Sequence, residues 1–271
     1  MKKIIITGVT SGIGRALMLR FNQEGHYVIG IARNKEKLNG LRTELLGSFE
    51  LIEADLGKTQ DIIKAATYIK SKHQAIDVLI NNAAMVPGHL MMSDEGHEMQ
   101  FQVNHLAVVS MTHQLLPLLI QTKGIIITTA SDAHRPARYH ASHLERLQKY
   151  SLMASYSETK LYNILFTKGF NAHVANQTNV KAFAVHPGLV NTDLGGKETQ
   201  GFMQKVWRFM ARRGIRPEQA TQTYADIING LIVDDYVSKS QPIKASKTAS
   251  NVENMQDLWK KTNEILNIEW V

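Results

Sequence analysis

Cysteine is missing from all 271 residues, so neither a disulfide nor a thiolate metal site can form. Its absence fits a reducing compartment, and the cytoplasm is the expected location. Long apolar runs are missing as well: no stretch approaches the roughly 20 residues that a membrane span requires. Met1-Lys2-Lys3 begins like a secretion signal, but the apolar run behind it ends at Ile6 and meets Thr7-Gly8, which reads as a first β-strand. Neither an internal repeat nor a low-complexity tract is present. An acidic excess is lacking too: Lys and Arg number 31 against 24 Asp and Glu, a formal net charge of +7. Such a balance is the footprint of phosphate-backbone binding, yet here it is dispersed. Its densest stretch, Lys205, Arg208, Arg212, Arg213 and Arg216, carries no recognisable nucleic-acid motif and reads as a solvated helix face. No nucleic-acid partner is expected.

What is present is material for a core. Hydrophobic residues make up 44% of the chain, enough for residues 1–271 to bury one core as a single α/β domain. Short β-branched runs alternate with helical stretches, the pattern of a parallel sheet with helices on both faces. The strand candidates are 3–7, 27–32, 49–54, 77–81, 124–129 and 180–185. Between them Ile13, Ala16, Leu17 and Phe21 repeat at helical spacing, as do Ile62, Ile63, Ala66 and Ile69, and both sets read as core stripes. A long helix is expected over 100–122, with Pro117 bending its end. The stretch from Ser131 to Tyr156 is too polar and broken for a buried element and is expected at a pocket mouth. A helix-like run over 198–213 sets Phe202, Met203, Val206, Trp207 and Met210 on one face. It reads as a packed helix, as a lid over an apolar substrate, or as a membrane-surface anchor.

The strongest local signal follows the first strand: Gly8, Gly12 and Gly14 are spaced through Thr7-Gly8-Val9-Thr10-Ser11-Gly12-Ile13-Gly14. Glycine lets backbone approach a ligand closely, and the free N–H groups that open the next helix favour an anion. A turn of this kind between strand and helix is the condition for a dinucleotide site. The second strand ends at Ala32-Arg33, where an acid usually meets the free 2′-hydroxyl of the adenine ribose. A guanidinium there instead suits a 2′-phosphate, so NADP(H) is expected over NAD(H), with Lys35 and Lys37 in support.

Tyr156 and Lys160 stand four residues apart in a helical stretch and therefore share a face. An ammonium beside a phenol is expected to lower the phenol's pKa, making proton exchange with an alcohol or carbonyl oxygen feasible. Ser131 follows the apolar strand 124–129 at its carboxyl end, where open α/β sheets bind ligands, and can position that oxygen. Asn104, early in the long helix, can anchor a water that extends the proton path. His134, His140 and His143 have no acidic pattern around them, so no metal site is expected and they read as loop or pocket-wall residues.

With these residues in view the chain resembles the short-chain dehydrogenase/reductase family over nearly its whole length. The resemblance implies a Rossmann-type doubly wound sheet. It implies that Gly8, Thr10, Ser11, Gly12, Ile13 and Gly14 form the cofactor turn and that Asp55-Leu56 meets the adenine. Asn81-Asn82-Ala83-Ala84 is similar to the family's Asn-Asn-Ala-Gly element, departing at Ala84. By the same resemblance Asn104, Ser131, Tyr156 and Lys160 are the catalytic tetrad, while Pro187, Gly188 and Thr192 close over the nicotinamide. Segment 189–216 is then a substrate lid, and the helices near 100–120 and 152–175 resemble a homo-oligomer surface. Ala130-Ser131-Asp132-Ala133-His134, Tyr156-Ser157-Glu158-Thr159-Lys160 and His186 to Leu194 resemble the retinol dehydrogenase-like branch. The implied activity is NADP(H)-dependent hydride transfer between nicotinamide and a small-molecule carbonyl or alcohol, with a hydrophobic compound expected. Two alternatives share the motifs: a non-catalytic NADP(H)-binding sensor, and a nucleotide-sugar epimerase or dehydratase.

Overall fold

Three isoleucines in a row, Ile4, Ile5 and Ile6, open a fold in which all three are fully buried. β-Branched side chains suit the pleat, and a strand apolar at every position must be covered on both faces. A computed structural model describes residues 1–144, 150–191 and 214–270, except for the side chain of His143. The lid helix expected at 198–213, Thr192 and the basic cluster from Lys205 to Arg213 lie outside the described residues.

The first strand, β1 (Lys3–Thr7), is central. It pairs in parallel with β2 (Tyr27–Ala32) on one side and β4 (Val78–Asn81) on the other. β3 (Phe49–Glu53) flanks β2. Beyond β4 lie β5 (Ile125–Thr129), β6 (Lys181–His186) and β7 (Tyr236–Ser238), all parallel, then the antiparallel pair of residues β8 (Gln241–Pro242). The order β3-β2-β1-β4-β5-β6-β7-β8 reverses its direction of growth between β1 and β4. That reversal leaves a crevice at the carboxyl ends of the two strands. The six expected strands are found, with ends shifted by no more than one residue; β7 and β8 were not anticipated.

Alternation along β1 divides the core. Ile5 faces a cluster with Ile62, Ala66 and Ile69 of α3 (Thr59–Lys72), Met111 and Leu115 of α4 (Ala107–Ile120), and Phe166 of α5 (Leu152–His173). Ile4 and Ile6 face the other way, onto Leu17 and Phe21 of α1 (Gly12–Gln23), in one cluster with Leu38 and Leu41 of α2 (Lys35–Arg42) and Tyr224 and Ile228 of α6 (Pro217–Ile228). Each such side chain contributes about 1.5–3 kcal/mol relative to exposure. Ile63, placed in the α3 stripe by spacing, is instead 37% exposed.

The helix expected over 100–122 is compound: one turn at Met99–Phe101, a π turn at Gln102–Leu106, then α4, which runs three residues past Pro117. The run Met99–Ile120, with mean hydropathy 1.3, is long and apolar enough to cross a membrane, but 78% of its apolar window is buried inside the fold. The final helix, α7 (Val252–Leu266), lies along α5. Trp259 stacks on Phe166 at 5.8 Å and 13°, and Trp270 meets Phe170 of α5 and His113 of α4 edge-on at 5.6 and 5.2 Å. The chain's own carboxyl-terminal segment thus lies against the two helices expected to form an oligomer surface.

Candidate active site

The cradle is made of backbone. Gly8, with φ +76°, turns the chain away from β1 while its N–H donates to Ile31 O at 2.8 Å, tying the turn to β2. A β-carbon on Gly8 would meet Ala83 Cα at 2.9 Å, and one on Gly14 would overlap Gly8 O and Asn82 Nδ2. Both positions therefore exclude any larger residue. Ser11 precedes α1 with no side-chain cap, and the first turn of α1 holds no acidic residue. The N–H groups there, with Thr10, Gly12 and Ile13 all partly accessible, are left to an anion. A cradle that no β-carbon can enter, ending on an uncapped helix, fits a dinucleotide pyrophosphate.

Asn82 fastens the crevice. Its Nδ2 donates to Thr7 O at 3.0 Å, while its N–H and that of Ala83 both donate to Thr7 Oγ1 at 3.0 Å. Ala84 is half-buried and has no left-handed backbone, so the residue that departs from the family pattern is accommodated. Just past β2, Arg33 is exposed. Asp55 accepts from Gly57 N–H at 3.0 Å, and Leu56 is buried behind it.

The second cluster is made of side chains. Tyr156 and Lys160 are both buried on α5, with Lys160 Nζ 5.6 Å from the centre of the Tyr156 ring and donating to Thr129 O at 2.8 Å. Here the expected electrostatics reverse. Burial pushes the Tyr156 phenol up to about 12, with a hydrogen bond from Ser131 pulling the other way. Burial also brings the Lys160 ammonium down to about 8. Desolvation is the largest cause of both shifts. Ser131 stands immediately beyond β5, extended at φ −162°, its Oγ accepting from Ala133 N–H at 3.1 Å.

Asn104 is fully buried in the π turn. Its Oδ1 accepts from Met85 N–H at 2.8 Å and its Nδ2 donates to Met85 O at 3.0 Å, so the side chain pins the loop after β4. Beyond β6, Pro187 is half-buried and Gly188 has φ +86°. Asn191 N–H donates to Ile215 O at 2.9 Å and Ile215 N–H to Leu189 O at 2.8 Å, joining the two described ends of the segment expected as a lid.

Sequence reasoning passed over a second tier. Glu98 accepts from Ser155 Oγ at 2.7 Å, and Gln100 Nε2 donates to Tyr150 Oη at 3.0 Å, so the loop after β4 is tied to the chain leading into α5. Thr129 Oγ1 shares a hydrogen bond of 2.8 Å with Tyr224 Oη. The only signal for Thr129 was its place two residues before Ser131; Glu98 and Gln100 had none. Exposed apolar side chains include Leu90 and Met92 after β4, Met153 one turn before Tyr156, and Leu189 and Ile215 beyond β6. Of the histidines, His140 is exposed while His134 is wholly buried, a departure from the polar pocket mouth expected there. Among the described residues no group of three or more His, Asp or Glu is placed to hold a metal ion.

The profile of the short chain dehydrogenase family matches residues 2–201. Human retinol dehydrogenase 14 is 33% identical over 213 residues, covering 72% of this chain and 63% of that protein, so the matched part spans less than two thirds of the relative. Human retinol dehydrogenase 11 is 28% identical over 277 residues, covering 98% of this chain and 86% of that protein. A crystal structure of an uncharacterised Mycobacterium paratuberculosis protein superposes with a TM-score of 0.79 at 26% identity, covering 100% of this chain and 95% of that one. With a profile matched from residue 2 to residue 201 and a fold that agrees along the whole chain, the protein belongs to the short chain dehydrogenase family, on the side of the retinol dehydrogenases.

Proposed function

We propose that the protein is an NADP(H)-dependent oxidoreductase that interconverts a carbonyl and an alcohol on a hydrophobic small molecule. The observation that carries the reading is the position of Ser131, Tyr156 and Lys160 at the carboxyl end of β5, across the crevice from the cradle of Gly8 and Gly14. A nicotinamide held there would supply or accept the hydride. The chain's residues manage the proton and the orientation. In reduction, the Tyr156 hydroxyl, which burial keeps protonated, gives its proton to the substrate oxygen, and the ammonium of Lys160 beside the ring offsets the cost of the phenolate that forms. Ser131, already hydrogen-bonded to Tyr156, aligns that oxygen. Lys160 sits beside the ring and presents an ammonium to the developing phenolate and to the ribose. Asn104 fixes the Met85 loop that walls the crevice. Arg33, standing where a carboxylate would repel it, receives the 2′-phosphate. The exposed Leu90, Met92, Met153, Leu189 and Ile215 favour an apolar substrate over a small polar one.

The test is consumption of NADPH, followed by its absorbance, against a panel of long-chain aldehydes, aromatic ketones, quinones and small polar carbonyls. Turnover with the apolar members and its loss in Tyr156→Phe, with NADPH still bound, are the expected results. Turnover that survives in that variant removes Tyr156 from the mechanism. Clear preference for the small polar carbonyls refutes the substrate class.

A further inference from the structure

One buried histidine is unused by this chemistry and yet touches it. His134 closes the single helical turn Asp132–His134 that follows Ser131, and its side chain has no exposure at all. Nδ1 lies 2.7 Å from Ser131 O. Nε2 lies 3.1 Å from the backbone N–H of Ser246, in the segment beyond β8. A backbone amide can only donate, so Nε2 must be the bare, accepting nitrogen. The proton is then on Nδ1, where it donates to the Ser131 carbonyl. Two main-chain groups therefore dictate one neutral tautomer, and the ring becomes a strut between Ser131 and the carboxyl-terminal part of the fold.

The strut is held from the side. Tyr236 of β7 meets the imidazole edge-on at 5.4 Å and 85°, and its hydroxyl lies 3.4 Å from Asp132 Oδ1. Asp132 also pairs with Arg135 at 3.0 Å, and its N–H donates to His186 Nδ1 at 3.3 Å. Packing alone does not account for the residue, since an aromatic ring without nitrogens would fill the same space without the cost of burying two polar atoms. What the imidazole adds is a second hydrogen bond to Ser131 O, which already accepts from the His134 N–H at 3.1 Å. The turn closes without the ring; what the ring supplies is a lateral tie on the residue whose hydroxyl meets Tyr156.

We propose that His134 is a positioning residue: as the Nδ1–H tautomer it holds the Ser131 carbonyl against the Ser246 segment and thereby aims the Ser131 hydroxyl at the reacting oxygen. This rests on the reading of Ser131 and Tyr156 given above. It predicts that His134 acts on the chemical step and not on dinucleotide binding, because the cradle of Gly8 to Gly14 lies on β1 and α1, away from the turn after β5. It also predicts that the Nδ1 donor matters more than the ring.

The experiment compares three full-length variants with the wild type, using the best carbonyl of the panel and NADPH. His134→Asn places a side-chain N–H near the position of Nδ1. His134→Gln reaches the Nε2 position and can accept from Ser246 but cannot donate at the nearer point. His134→Phe keeps only the ring. The expected result is a kcat lowered roughly 10-fold or more in Phe and Gln, with KM for NADPH within about 2-fold of wild type. Asn should recover kcat to within about 3-fold of wild type. Ring nitrogen shifts by NMR on the ligand-free wild type should show Nδ1 protonated and Nε2 bare at neutral pH. Equal kcat in Asn and Phe, a loss that follows thermal stability instead of the donor, or a protonated Nε2 each overturns the proposal. A wild type that turns over no carbonyl overturns the reading of the site itself. An active wild type with indifferent variants overturns only the role of His134.

Discussion

The two banks of the crevice are built by different means. On the β1 side, recognition is main chain: Gly8 and Gly14 leave room, the uncapped start of α1 offers N–H groups, and Asn82 staples the turn through Thr7. On the β5 side, the proposed chemistry is side chain: Tyr156, Lys160 and Ser131 are brought together by long-range packing, and desolvation shifts Tyr156 and Lys160 in opposite directions. Backbone sites depend on what is absent, namely a β-carbon or an acid. Side-chain sites depend on what is buried. Damage on the first bank should therefore appear in cofactor affinity and on the second in kcat, with stability moving in opposite directions.

The largest effect belongs to Lys160→Met. It should lower kcat by about 10²–10⁴-fold, the usual worth of a proton-transfer partner. Yet the cofactor-free variant should be more stable than wild type by roughly 1–3 kcal/mol at neutral pH, because a buried amine brought down to about 8 opposes folding. The sign follows from proton counting. Between about 8 and the unfolded value of 10.5 the unfolded chain binds more protons, so wild-type stability rises with pH across that window. The stability gap between the two proteins should be widest below pH 8 and narrow toward 10.5. Thermal melts from pH 6 to 10 measure it; a variant that melts lower than wild type throughout would mean the ammonium is compensated in the free protein.

On the opposite bank, Gly14→Val should reverse the pattern. The added carbons overlap Gly8 O and the Asn82 amide, so the turn must shift, at about 1–3 kcal/mol of stability. Dinucleotide affinity should fall roughly 100-fold, while residual turnover at saturating cofactor stays within about 10-fold of wild type. Titration of NADPH by fluorescence separates the two numbers. If kcat collapses while affinity holds, the division between banks is wrong.

That division also explains what could be read before folding. The glycine turn and the strands are local: spacing and β-branching specify them, and six strands fall within a residue of expectation. Tyr156 and Lys160 were legible because four residues make one helical turn. Their protonation was not, because burial is a property of the whole packed chain and it reversed the expected shift. The bond from Asn104 to Met85 was not legible, since nothing local announces a partner 19 residues upstream. Glu98 and Gln100 escaped because their partners Ser155 and Tyr150 are far away in sequence, and His134, read as a loop or pocket-wall residue, is wholly buried through its bond to Ser246, 112 residues on.

Arg33→Asp sharpens the first bank alone. The substitution exchanges a 2′-phosphate partner for a repelling carboxylate, so the ratio of kcat/KM for NADPH to that for NADH should fall roughly 10-fold or more. Stability should stay within about 0.5 kcal/mol, as expected for an exposed residue. A wild type that does not prefer the phosphorylated cofactor ends the NADP(H) assignment before the variant is made.

The smallest effect is expected on the seam, at Thr129→Val. The Thr129 hydroxyl bonds the buried Tyr224 hydroxyl at 2.8 Å, whereas its carbonyl holds Lys160. Valine keeps the carbonyl and nearly the same shape, so the Lys160 anchor survives and kcat should stay within about 3-fold of wild type. What is lost is a partner for Tyr224, stranding a buried hydroxyl at a cost of about 1–3 kcal/mol. Chemical denaturation should register that loss with an unchanged slope against denaturant. A large fall in kcat instead would show that the side chain of Thr129, and not only its main chain, couples the packing of α6 to the protonation of Lys160, so the two banks could no longer be treated as separable.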